Sequence, residues 1–88
     1  MKLYKEIEKI FQIIEEHFTA EDLEEFRNEK ICDLYLYHFG LGIWIRENLL
    51  YPKENILYSL FSENGVKQAD EMSSLIITLF HYYVSKPK

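Results

Sequence analysis

The side chains in this sequence that can move a proton, hold a metal or attack an electrophile are few and scattered. The histidines are His17, His38 and His81, the single cysteine is Cys32, and the serines are Ser59, Ser62, Ser73, Ser74 and Ser85. Nucleophilic catalysis needs a nucleophile, a base and an orienting group that converge. No local pattern joins these residues, and His38 reads as a hydrogen-bonded core histidine. Metal ligation needs histidines or cysteines paired at helical spacing, and the chain offers no such pair. Gly40-Leu41-Gly42 lacks the third glycine and the preceding strand of a phosphate-binding loop. Glu15-Glu16, Glu21-Asp22 and Glu24-Glu25 are acidic pairs, read as solvated outer faces rather than as paired catalytic carboxylates. Neither a catalytic set, a metal nor a cofactor is expected.

One charge stands apart. Residues 34–50 carry only Arg46 and Glu47 as formal charges, and they also hold Gly40, Gly42 and the single tryptophan, Trp44. A guanidinium among apolar residues is costly to bury unless a carboxylate or several carbonyls receive it. Arg46 is therefore either an internal tie between helices or a presented binding group, and the tie is the preferred reading. Its expected partners are Asp70 and Glu71, which begin the last helix and suit a charge-assisted clamp.

The elements that must position these groups are helical. Eighty-eight residues make one domain, 1–88, near the size at which a single core suffices. Scarce glycine and proline favour long regular elements. Leu3, Ile7, Ile10, Phe11, Ile14 and Phe18 recur at helical spacing and predict an amphipathic helix over residues 2–17. Thr19 followed by Glu21 and Asp22 predicts a capped short helix over 20–27, anchored by Leu23 and Phe26. Asn28 is expected to cap a long helix over 29–48, apolar on so many sides that it reads as the central one. Gly40 and Gly42 either end that helix or admit a close neighbour; a continuous helix is preferred. Tyr51-Pro52 forces a turn before a helix over 53–62, anchored by Ile56, Leu57, Leu60 and Phe61, which Asn64-Gly65-Val66 closes. The last helix, 69–84, presents Met72, Leu75, Ile76, Leu79, Phe80 and Tyr83 to the core, and Pro87 lies in a frayed tail. The fold class is all-α: a compact bundle of four to five helices around a central hydrophobic helix.

Charge narrows the partners. The net charge is −5, and residues 15–29 carry seven acids against Arg27 alone. An acidic chain without a basic stripe is poorly suited to phosphate backbones, so no nucleic acid is expected. Residues 34–45, the longest uncharged apolar stretch, are too short to span a bilayer, so no membrane is expected. Cys32, alone and flanked by apolar residues, reads as a small core side chain. Lys5, Glu6, Glu8 and Lys9 interrupt any signal-like apolar run, and the expected location is the cytoplasm.

Two ordered motifs carry a resemblance. Gly42-x-Trp44-Ile45-Arg46-x-Asn48, followed by Leu60-Phe61 before Gly65 and then Asp70-Glu71-Met72-Ser73-x-Leu75-Ile76-Ile77, resembles a family of small bacterial proteins of unknown function. The similarity spans about residues 34–83. Glu47 stands where that family has asparagine, and Leu49 and Pro52 lie near its tryptophan positions. The resemblance implies an all-helical fold and a bacterial or phage setting, and supplies no activity.

The expected role is a non-catalytic soluble interaction protein, such as an immunity protein or small inhibitor. Glu21, Asp22, Glu24 and Glu25 would dock on a basic partner protein, with Trp44 and Tyr51 as an aromatic surface. The competing readings are a small enzyme or nucleotide-binding module using Arg46 with Asp70 and Glu71, and a homodimeric structural module. Gly42, Trp44, Arg46, Asn48, Asp70, Glu71, Met72 and Ser73 form the expected structural motif.

Overall fold

Helix α1 (Lys2–His17) buries Leu3, Ile7, Ile10, Phe11 and Ile14, the stripe its periodicity predicts. Each such side chain contributes roughly 1.5–3 kcal/mol when fully removed from water. Helix α2 (Ala20–Arg27) starts where Thr19 Oγ1 accepts the Asp22 amide at 3.1 Å, and it anchors through Phe26. Asn28 does not cap the next helix. Its Nδ2 donates instead to the Glu24 carbonyl at 3.0 Å, closing α2 behind it. The computed structural model describes residues 2–52 and 55–86, and among these every regular element is helical.

The expected continuous helix over 29–48 is not formed. Ile31–Tyr37 winds as a 3₁₀ helix, His38 to Gly40 turn, helix α3 covers Leu41–Ile45, and Arg46–Leu50 forms a π-helical turn. Two glycines and a run of aromatic and β-branched residues give the α-helix poor local support here. The all-round apolarity does not signal burial either. Leu34, Leu41, Ile45, Leu49 and Leu50 are buried, whereas Ile31, Tyr35, Leu36 and Phe39 are exposed. Cys32 is exposed rather than in the core, and His38 is half-buried with its ring edge-on to Phe39.

Helix α4 (Leu57–Glu63) begins at Leu57, whose amide is accepted by Asn55 Oδ1 at 2.9 Å, and Ile56 stays exposed. The expected start at Lys53 lies outside the described residues. Gly65 ends α4 at φ +92°, with Val66 N–H donating to the Phe61 carbonyl at 2.9 Å and Gly65 N–H to Ser62 at 3.1 Å. That pair of bonds is a Schellman closure, which favours glycine in the left-handed position.

Helix α5 (Ala69–Ser85) is the hub: α1, α2, the 3₁₀ helix, α3, the π turn and α4 all pack on it. It buries Met72, Ser73, Ile76, Ile77, Phe80, His81 and Val84. Leu75 and Tyr83, expected in the core, are exposed. The buried stripe is broader than predicted and turned toward Ser73 and Ile77, because neighbours approach from more than one side. Phe80 gathers the aromatic centre, with the Phe11, Phe18 and Phe26 rings 5.4–6.0 Å apart in successive contacts. No helix among the described residues is long and apolar enough to cross a membrane.

Candidate functional site

Arg46 opens the π turn and is buried against the first turns of α5. Its Nη1 donates to Ser73 Oγ at 2.8 Å, and Ser73 Oγ donates in turn to the Asp70 carbonyl at 3.1 Å. Arg46 Nε lies 3.6 Å from Asp70 Oδ1, an ion-pair contact too long for a hydrogen bond. The Asp70 side chain is 71% exposed, so this carboxylate is screened by water and the serine takes the stronger bond. Glu71 is exposed and makes no ion pair among the described residues. Gly42 explains why the guanidinium fits. A Cβ there would sit 3.3 Å from Arg46 Nη1 and 3.6 Å from the Tyr37 carbonyl oxygen. Met72 is fully buried beside this tie, while Asn48 is exposed and donates back to the Trp44 carbonyl at 3.0 Å. The cluster is a closed joint between α3, the π turn and α5.

The opposite side of α3 opens on a groove of about 620 Å³. The end of α1 supplies His17 and Phe18, α2 supplies Asp22 and Glu25, and the end of the 3₁₀ helix supplies Tyr37. Phe39 and Gly40 of the turn, Leu41, Ile43 and Trp44 of α3, and Glu47 of the π turn complete the wall. His17 stacks on Trp44 with ring centroids 4.1 Å apart and planes 20° from parallel. Among the described residues Asp22, Glu25 and Glu47 have no ion-pair partner. The groove also registers on Tyr37: burial, then the charges of Glu29, Glu25 and Asp22, push its hydroxyl above the ordinary tyrosine range. Aromatic faces beside unpaired carboxylates suit a cationic group, through ring quadrupoles and charge together.

The four acids expected to act as one surface are divided. Asp22 and Glu25 line the groove. Glu24 is held by Arg27 and by Asn28 Nδ2, and Glu21 points to solvent outside the groove wall. Trp44 lines the groove, whereas Tyr51 is exposed in a separate depression with Pro52, Asn55 and Tyr58. His17, Tyr37 and Glu47 are binding candidates that sequence reasoning misses. The one available sequence signal is the Glu25, Trp44 and Glu47 chemistry around a single apolar stretch, and it needs the turn at residues 38–40 to close the wall. No three histidine, cysteine, aspartate or glutamate side chains among the described residues are placed to hold a metal ion.

No curated protein and no solved structure matches the chain. Residues 5–84 match the family described as a domain of unknown function (DUF6794), a longer span than the two motifs cover, and the chain belongs to that family.

Proposed function

We propose that this chain is a non-catalytic binding protein whose groove receives a basic segment of another protein. One observation carries the reading: three carboxylates without an ion-pair partner among the described residues, Asp22, Glu25 and Glu47, share a concavity with the stacked His17–Trp44 pair. A lysine or arginine side chain entering there meets ring faces and charge at once. The net charge of −5 would speed encounter with a basic partner. A small inhibitor or immunity protein, which works by covering a basic surface, is the class this groove suits.

The alternative of an enzyme or nucleotide-binding module built on Arg46 has less support. Its guanidinium is buried and already bonded to Ser73, so a ligand would have to displace an internal joint. The reading of a bacterial, cytoplasmic protein rests on the motif resemblance and on the free, exposed Cys32, which suits a reducing compartment.

Trp44 is the only tryptophan, so its fluorescence reports the groove directly. A tryptophan-free peptide of lysine, arginine and glycine should change that emission saturably and more weakly as salt rises. The double change Asp22→Lys with Glu25→Lys should abolish the response, whereas Glu21→Lys with Glu24→Lys should largely preserve it. Equal responses from both doubles, or binding indifferent to salt, would reject the groove as the working surface.

A further inference from the structure

We infer that the outer side of the 3₁₀ helix, with the adjoining edge of α5, is a self-association face that pairs with a second copy of this chain. Ile31, Tyr35, Leu36 and Phe39 are 73, 70, 61 and 75% exposed, and Leu75 is 42% exposed. The depression beneath Ile31 and Tyr35 is floored by Ser74 and Thr78 of α5, and these also border Leu75, so the patch is continuous across the two elements.

Size argues for a stable partner. An aromatic side chain carries about 150–250 Å², so these five residues leave on the order of 500 Å² of apolar surface open. Patches of that size mark interaction sites. A standard interface buries about 800 Å² per partner, and homodimer interfaces are about 65% apolar, or about 520 Å². The two areas agree.

Charge selects the occupant. A twofold interface sets each patch against its own copy, and a chain of net charge −5 repels its copy at most faces. The 3₁₀ side of this face is balanced, while Asp70 and Glu71 border its α5 edge beside Leu75. Between residues 30 and 45 the only formal charges are Lys30 and Asp33, equal and opposite. Residues three apart eclipse in a 3₁₀ helix, so Asp33 and Leu36 share one stripe, which Lys30 extends at the start of the helix. Neither Lys30 nor Asp33 has an ion-pair partner among the described residues. Antiparallel pairing of two such stripes sets Lys30 of each copy opposite Asp33 of the other. The 3₁₀ helix supplies a further argument. It runs seven residues where three or four are usual, with large apolar side chains in water, and a covering surface would stabilise it.

Phe39 also borders the groove, but Ile31, Tyr35, Leu36 and Leu75 lie outside it, so variants at those positions and at Asp22 and Glu25 make the two proposals fail separately. Analytical ultracentrifugation of the full chain should show a concentration-dependent dimer. Tyr35→Glu should weaken it about a hundredfold by forcing a carboxylate into an apolar contact, with helical circular dichroism unchanged. Should Tyr35→Glu unfold the chain, the charge variants decide. Lys30→Asp and Asp33→Lys should each weaken the dimer, and the two together should restore it. A chain that stays monomeric at every concentration, a dimer indifferent to both charge variants, or a dimer lost instead in the Asp22→Lys and Glu25→Lys double would overturn the inference.

Discussion

Helix α3 and its π turn have two sides that use charge in opposite ways. On the inner side Gly42, Ile45, Arg46, Leu49 and Leu50 are buried, and the one charge among them is bonded to Ser73. On the outer side Ile43 and Glu47 are exposed, Trp44 is half-buried, and Glu47 joins two further carboxylates with no cation among the described residues. A charge enclosed and bonded fixes how two helices meet. A charge left open beside aromatic faces keeps its full potential for whatever arrives. The difference separates residues that hold the fold from residues that can serve a partner, within ten positions of chain.

The sharpest way to break this comparison is at Arg46. Arg46→Ala removes a charged hydrogen bond and the packed stem, and should cost about 2–3 kcal/mol. That corresponds to roughly 4–8 °C in Tm for each kcal/mol in a chain of this size. Arg46→Met, which keeps most of the stem, should cost less than half as much by urea denaturation. A loss near zero for Arg46→Ala would mean that the inner side is not a structural joint.

Gly42 tests the same side from below. Gly42→Leu pushes side-chain volume into the guanidinium and the Tyr37 carbonyl, and overpacking of this kind costs about 1–3 kcal/mol. A Cβ at Gly40 would meet nothing within 4 Å, so Gly40→Leu should be close to neutral. Similar thermal shifts for the two variants would remove the distinction between a packed glycine and a loose one.

The outer side should behave the other way. Asp22→Lys with Glu25→Lys should cost no more than about 1 kcal/mol, most of it from reversing the first-turn charge of α2 at Asp22. The smallest effect belongs to Tyr37 and is absent at neutral pH. Burial, helped by nearby acids, raises its folded pKa above the ordinary value of about 10, so the folded chain keeps a proton that the unfolded chain loses. The associated stability is complete below about pH 10 and is lost as pH rises through the folded value. Urea midpoints at about pH 9 and about pH 11 should therefore fall less in Tyr37→Phe than in the wild type. An equal fall would show that the groove does not act on this hydroxyl.

Much of the outer frame is legible in the sequence. The stripe of α1, the Thr19 cap of α2, the Gly65 closure of α4 and the start of α5 at Ala69 follow from periodicity and local hydrogen bonding. The middle stretch is not legible by the same rule. A segment apolar on all sides can be surrounded by its own chain or left bare, and hydropathy does not distinguish the two. The hub escapes sequence reading for a related reason: α5 buries Ser73 and His81, polar side chains that a count of hydrophobic positions passes over. Arg46 stands out as an embedded charge, yet its serine bond depends on how two helices cross. The groove is the least legible feature. Its acids are visible, but His17 meets Trp44 only through the turn at residues 38–40 and the resulting approach of α1.

The position of the hub in the chain has a consequence for biosynthesis. Every other element packs on α5, and residues 69–85 follow all of them in sequence. A ribosome adds about 5–20 residues per second, so α1 to α4 wait for seconds before their common support is made. During that interval α1 can rest on α4 but not on α5, and the aromatic middle, like the faces of the earlier helices that α5 will cover, meets solvent or a chaperone. Assembly is deferred until translation has passed Ser85, and premature termination anywhere before Ala69 yields a chain with no keystone to assemble on.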